Sequence, residues 1–266
     1  MNKRIKKIFS SNSKKLVTFV TGGDPDFNTS LKIIKKLPES GVDIIEIGMP
    51  FSDPMADGPT IQLSSSRAIK KNINLEKIFS LCSKFRKVNN TTPLILMGYY
   101  NPIFYYGLKK FVNKCANSGV DGLIIVDLQP ENDKKLFNLI KNNSIEFIRL
   151  VTPTTNNSRL NTILTNASGF LYYVSITGIT GQKSANIKTL NRSIKKIKNK
   201  TKLPILTGFG IKNAKQAKEI SSFTDGVIVG SSIVNIIEKN IDSKLSKNII
   251  INKISNFVKS LSRAIK

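Results

Sequence analysis

Short runs of β-branched and aliphatic residues alternate along the chain with longer stretches in which apolar residues recur every third or fourth position. The short runs are "LVTFVTGG", "DIIEIG", "PLILMG", "GLIIVD", "EFIRLV", "FLYYVS", "PILTGFG" and "GVIVG". Between them lie segments such as "SLKIIKKLPESG", "LEKIFSLCSKFRKV", "NDKKLFNLIKNN" and "AKQAKEISSF", which carry the 3.6-residue period of amphipathic helices. Strands that alternate with helices of crossover length imply a parallel sheet. Eight such strands predict an α/β fold, a single-domain (β/α)8 TIM barrel over residues 1–266, with an extra helix at each terminus. The amino-terminal cap helix is expected over about 1–14 and the carboxyl-terminal helix over about 245–264. An open, doubly wound sheet is the alternative arrangement of the same elements.

A barrel concentrates chemistry on the loops at the carboxyl ends of its strands. Here those loops are the polar, Gly-rich parts of the sequence. They read "TGGDPDF", "PFSDPMADGP", "YYNPIFYYG", "DLQPE", "TPTTNN", "SITGITGQKSAN", "GFGIKN" and "GSSIV" in chain order. In the second strand, period-2 alternation puts Ile44, Glu46 and Gly48 on one face and Ile45 and Ile47 on the other. If that first face is the barrel interior, burial raises the pKa of Glu46 and suits it to general acid–base work. The bland reading is a structural glutamate paired with a barrel Lys or Arg. Asp57 follows in "ADGP", a turn able to return over the barrel mouth. Two carboxylates in unlike environments can divide acid and base roles.

Small residues after strands 7 and 8, in "GFG" and "GSS", leave backbone N–H groups and a helix N-terminus open to a phosphate. Found at consecutive strand ends, they predict a phosphate site; each alone reads as an ordinary turn. Gly178 and Gly181 in "SITGITGQKSAN" could hinge a closing lid, and the alternative is a disordered loop.

Composition narrows the chemistry. The chain contains no histidine, so no His-based triad is available. Cys82 and Cys115 show no CxxC spacing and read as packing residues, which suggests neither a zinc site nor a disulfide framework. No apolar run approaches the roughly 18–20 residues of a membrane span, and the basic start "MNKRIKKIFSSNSKK" lacks the apolar core of a secretory signal.

The formal charge is +25, from 42 Lys and Arg against 17 Asp and Glu. A nucleic-acid-binding or scaffold role is its obvious reading. Against it, the lysines are scattered over nearly every predicted helix, and arginine, the better phosphate fork, is scarce. Abundant Lys, Asn and Ile fit an AT-rich coding sequence, which suits an organelle-encoded plastid protein of the stroma or a bacterial cytoplasmic protein with a reduced genome.

At these motifs the sequence resembles the tryptophan synthase alpha chain family. The likeness runs from about Phe19 to Glu238, and its most specific element is "EIGMPFSDPMADGPTIQ". "FVTGGDP", "GYYNPIFYYG", "VDLQPE", "YYVSITGITG", "GFGI" and "VGSSIV" support it in the family's order. The resemblance implies a lyase that cleaves indole-3-glycerol phosphate by a retro-aldol step to indole and glyceraldehyde 3-phosphate, in tryptophan biosynthesis. It implies Glu46 as the acid–base glutamate and Asp57 as the aspartate that engages the indole N–H. Tyr172 corresponds to a tyrosine beside the catalytic pair, and Phe19, Met97 and Asp127 to pocket positions around the indole. Gly181, Gly210, Gly230 and Ser231 correspond to phosphate-binding positions, and Thr180 to a threonine in the closing loop.

The same resemblance implies a beta chain that carries pyridoxal phosphate, an alpha2-beta2 tetramer, and no cofactor or metal in this chain. Pro50, Phe51, Ser52, Asp53 and Pro54 fall on the family's contact with that partner. Gly22 and Gln129 depart from the family pattern, the first where a larger residue is common and the second where proline is. Another sugar-phosphate isomerase or epimerase on the same barrel is the alternative enzyme reading.

Overall fold

A computed structural model describes residues 2–175, 183–208, 210–241 and 246–266; the side chains of 183–186 are not described. Nine parallel strands form a nearly closed barrel surrounded by helices. They are β1 (Lys15–Thr21), β2 (Ile44–Gly48), β3 (Leu94–Gly98), β4 (Gly122–Ile125), β5 (Glu146–Phe147), β6 (Arg149–Val151), β7 (Leu171–Val174), β8 (Ile205–Gly208) and β9 (Gly226–Val229). The first strand pairs in parallel with both β2 and β9. The two ends of the resulting sheet, β5 and β6, follow each other in the chain with Ile148 alone between them, so the sheet returns on itself and the doubly wound alternative is ruled out.

The expectation of eight strands needs one correction. "EFIRLV" is two short strands, because its pairing passes from one neighbour to the other at Ile148. Strand β5 pairs with β4, while β6 pairs with β7. Ile148 still donates its N–H to the Leu123 carbonyl at 3.0 Å, and its side chain takes the space left by the missing side chain of Gly122, where a Cβ would lie 2.5 Å away.

Alternation sorts the strand residues into two cores. Val17, Ile44, Ile95, Ile124, Ile148, Phe170, Leu206 and Ile228 fill the barrel interior. Leu16, Ile45, Ile47, Leu96, Leu123, Val227 and Val229 face the surrounding helices. Each fully buried Ile or Leu contributes on the order of 1.5–3 kcal/mol relative to exposure.

The amino-terminal helix spans Lys3–Ile8, shorter than the expected 1–14. Asn2 caps it by accepting from the Arg4 and Ile5 N–H groups. It stops at Phe9, beyond which "SSNS" offers side-chain oxygens that compete for backbone bonds; the Ser10 hydroxyl already donates to the Lys7 carbonyl at 2.8 Å. Ile5, Ile8 and Phe9 plug the amino-terminal end of the barrel against the interior cluster. Beside the plug, buried Asp121 accepts from Arg4 at 2.8 Å, from Arg86 at 2.5 Å and from the Leu94 N–H at 2.8 Å.

The carboxyl-terminal helix, Lys247–Ile265, packs on helices Phe27–Lys36 and Ala214–Ser221. No helix among the described residues is long and apolar enough to cross a membrane.

Candidate active site

Glu46 sits near the carboxyl end of β2, in register with Phe19 on β1 and Ile95 on β3. Its strand-mate on the same face, Ile44, belongs to the interior cluster, whereas Ile45 and Ile47 belong to the outer one. The glutamate therefore points into the barrel. It is 0% exposed, and neither carboxylate oxygen has a hydrogen-bond partner among the described residues. The structural reading, a glutamate paired with a barrel cation, finds no support. Burial alone pushes the Glu46 carboxyl up to about 8, since a low-dielectric surrounding disfavours the charged form.

Above the interior lies a cavity of 630 Å³ at the carboxyl-terminal mouth. Phe19, Asp57, Met97 and Tyr172 line it, together with Gly210, Gly230 and Ser231. Two glycines make room for its aromatic walls. A methyl group at Gly48 would fall 2.5 Å from the Phe19 ring, and one at Gly208 would fall 2.6 Å from the Tyr172 hydroxyl. Tyr172 lies close enough to both carboxylates that, after burial, the charges of Glu46 and Asp57 push its phenol further up.

Asp57 stands in the loop after β2, which turns back through hydrogen bonds from the Met55 N–H to the Asp53 carbonyl and from the Asp57 N–H to the Pro54 carbonyl, both 2.9 Å. Partial burial raises its pKa, and a hydrogen bond from the Tyr99 hydroxyl counters part of that rise. The same hydroxyl accepts the Ala56 N–H at 3.1 Å, and the Phe51 ring packs at 5.4 Å from the Tyr99 ring. Tyr99 thus holds the Asp57 loop at two points. Sequence reasoning passed over it: "YYNPIFYYG" offers five aromatics, and nothing in their spacing singles out the one that faces Asp57.

The end of the cavity expected to bind phosphate is built from two loops. Gly210 has a left-handed φ of 61°, a conformation glycine adopts without strain. Helix Ser231–Ile241 begins at the cavity edge, and its Ser232 hydroxyl donates to the Ile211 carbonyl at 2.5 Å, tying the two loops together. Helix N-terminal N–H groups and their dipole attract an anion there. Lys212 is the single cation among the described residues that line this cavity, and it too escaped the sequence reading.

Other candidates fall elsewhere. Asp127 lines a neighbouring cavity of 390 Å³ beside Arg149, rather than the mouth cavity. Its carboxylate accepts the Tyr100 N–H at 2.7 Å and so anchors the segment after β3. Thr180, Gly181 and the hinge candidate Gly178 lie outside the described residues. In the loop expected to meet a partner, Ser52 and Asp53 are exposed and bond to each other, Pro50 and Phe51 are half-buried, and Pro54 is buried. Gly22 owes its departure from the family pattern to packing, for a Cβ there would lie 2.4 Å from Ile78. Cys82 and Cys115 are free and buried, and no group of three or more Cys, Asp or Glu able to hold a metal occurs among the described residues.

A buried neutral carboxyl, a second carboxylate at the cavity wall and an anion-binding rim together suit proton transfer on a phosphorylated substrate with an apolar portion. Comparison with known proteins points the same way. The family model described as tryptophan synthase alpha chain matches residues 5–265. Tryptophan synthase subunit alpha from Legionella pneumophila str. Paris is 35% identical, with a TM-score of 0.91 over 100% of this chain and 98% of that one. A tryptophan synthase from M. tuberculosis, in an aminoacrylate-bound form, is 26% identical, with a TM-score of 0.85 over 99% of both chains.

Proposed function

The chain belongs to the tryptophan synthase alpha chain family, and on that premise we propose that Glu46 and Asp57 share the work of cleaving indole-3-glycerol phosphate. The reaction is a lyase half-reaction that yields indole and glyceraldehyde 3-phosphate. Cleavage of the carbon–carbon bond needs a proton on the indole ring carbon that carries the glycerol chain. It also needs a stabilised positive charge on the ring nitrogen, and removal of the proton from the adjacent hydroxyl.

Glu46, mostly neutral at pH 7 because burial lifts its carboxyl to about 8, donates the first proton. The resulting cation carries its charge at the ring nitrogen, where Asp57 accepts the N–H and offsets it. The carboxylate left on Glu46 then takes the hydroxyl proton as the aldehyde forms. Electrons of the broken bond restore the aromatic ring, and Glu46 ends protonated as it began. Phe19, Met97 and Tyr172 hold the indole. Gly210, Gly230 and Ser231 hold the phosphate, and Thr180 and Gly181 match the family's closing-loop and phosphate-binding positions in sequence.

The observation that carries this reading is the unpartnered, fully buried Glu46 carboxyl beneath a cavity that Asp57 also lines. Indole release from indole-3-glycerol phosphate tests it. Glu46→Gln and Asp57→Asn should each lose at least about a hundredfold in rate while keeping the wild-type circular dichroism spectrum. Near-normal turnover in either variant would overturn the assignment, and so would a wild-type protein that releases no indole with its partner present.

A beta chain carrying pyridoxal phosphate is the proposed partner, in an alpha2-beta2 assembly, with this chain itself using no cofactor or metal. The exposed side chain of Met55, 86% accessible, follows directly on Pro54 and favours a contact there. Sedimentation of the mixed chains tests the stoichiometry. The Lys- and Asn-rich composition supports a plastid stroma or a bacterial cytoplasm, which codon usage and gene neighbourhood would separate.

A further inference from the structure

At the amino-terminal end of the barrel, opposite the mouth, a second cavity of 470 Å³ opens between the segment leading into β1 and the turn leading into β8. Four lysines line it: Lys14, Lys15, Lys198 and Lys202. Lys15 is 3% exposed and forms no ion pair with a carboxylate among the described residues. Its three ammonium protons go instead to the Ser11 carbonyl at 3.2 Å, the Ser11 hydroxyl at 2.7 Å and the Ser13 hydroxyl at 2.8 Å. A buried charge is costly; these three neutral acceptors and the charge of Asp43, beyond ion-pair distance, offset only part of that cost, and burial still holds the Lys15 pKa below its ordinary value.

The remaining groups add donors. A serine hydroxyl that accepts from an ammonium keeps its own proton to give. The Ser11 and Ser13 hydroxyls lie 3.1 Å apart, so one can donate to the other while the second donates outward. The Thr201 hydroxyl already accepts the Leu203 N–H at 3.1 Å, which leaves its proton free. Lys14 spends one donor on the Thr224 carbonyl at 2.6 Å. The acceptor side is used up: Asp225 takes Lys198 on one oxygen and the Ile205 N–H on the other, both at 2.8 Å. The cavity therefore offers surplus positive charge and O–H and N–H donors, with its single carboxylate already committed.

We propose that this cavity is a second anion site, distinct from the catalytic mouth, which takes a compact oxyanion: inorganic phosphate or the phosphate group of a small phosphomonoester. Ligand neutralises Lys15 and accepts from the serine and threonine hydroxyls that the lysine polarises. The site uses no residue assigned to the reaction.

Backbone amide shifts report the two sites separately during titration of the full chain with inorganic phosphate or glycerol 3-phosphate at low salt. Saturable shifts are expected at Ser11 to Lys15 and Thr201 to Leu203, alongside those at Gly210, Gly230 and Ser231. The double variant Ser13→Ala with Lys202→Gln, both positions lying at the cavity edge, should weaken binding at the lower site about tenfold. Its affinity at the mouth and its indole release should stay unchanged. Shifts confined to the mouth with both probes, or lower-site shifts that grow linearly without saturation, would overturn the proposal. Equal lower-site affinity in the variant and the wild type would overturn it too.

Discussion

Replacing Glu46 by Gln should make the protein more stable than the wild type as the pH rises, although it removes the proposed acid. In the unfolded chain a glutamate loses its proton near its ordinary value of 4.5, whereas in the barrel Glu46 keeps it until about 8. Below the first value both states hold the proton and no difference arises. Between the two values the folded state binds the extra proton, so wild-type stability falls with rising pH. Above about 8 the folded state ionises as well, and the loss levels off.

The gap between the two values, at about 1.4 kcal/mol per pH unit, gives a total of about 5 kcal/mol, of which about 3 kcal/mol has accrued by pH 7. Glutamine does not titrate, so subtracting one protein from the other cancels shifts at groups that Glu46 does not influence, Lys15 and Asp24 among them. Chemical denaturation of both proteins from about pH 4 to about pH 9 yields that difference curve. It should slope against the wild type across the window and flatten at its alkaline end. A flat curve would refute the reasoning, and a slope of opposite sign would mean that Glu46 finds a cationic partner. In parallel, wild-type indole release should decline above about pH 8 as Glu46 loses the proton it donates.

Three other perturbations probe the site and its support. Tyr99→Phe removes the hydrogen bond that restrains the Asp57 pKa, so the acidic limb of the pH–rate profile should move to higher pH, with kcat reduced by up to about tenfold. Lys212→Gln takes away the cation beside the phosphate end; KM should rise about tenfold with kcat nearly unchanged, and a fall in kcat alone would contradict a binding role. Asp121→Asn leaves Arg86, whose side chain is 10% exposed, without its anionic partner, and should cost about 3–5 kcal/mol in chemical denaturation without altering KM.

Much of this architecture was legible in the sequence because two periodicities are strong. Period 2 in "DIIEIG" assigned Ile44 and Glu46 to one face, and the interior cluster then formed around Ile44. What escaped depends on contacts that local patterns do not encode. The break at Ile148 arises because the strand changes neighbours there, a property of the closed sheet and not of "EFIRLV" itself. Asp127 was grouped with the pocket by resemblance, yet the Tyr100 N–H at 2.7 Å holds its carboxylate outside the mouth cavity. Tyr99 and Lys212 act across a loop junction and a cavity edge, and only folding brings those places together. The first helix stops at Phe9, where the Ser10 hydroxyl satisfies the Lys7 carbonyl locally, a competition that helical periodicity does not report.

The two carboxylates show how one barrel supplies opposite chemistry from the same functional group. A strand places Glu46 where no donor among the described residues reaches it, and neutrality follows from desolvation. The loop places Asp57 nearer the rim, where burial is incomplete and a phenol donates to it, so its pKa rises less freely. A donor supplied to Glu46 would stabilise its charged form and lower its pKa, leaving less of the protonated acid at pH 7; one withdrawn from Asp57 would raise its pKa and blunt its capacity to meet positive charge. The interior can carry an unpartnered carboxyl because the layers of Val17, Ile44, Ile95, Ile124 and Leu206 beneath it are fully buried. At on the order of 1.5–3 kcal/mol each, those side chains outweigh a penalty of about 5 kcal/mol. A desolvation cost of this kind survives where the surrounding core over-determines the structure, and it sits at the residue proposed to donate the proton.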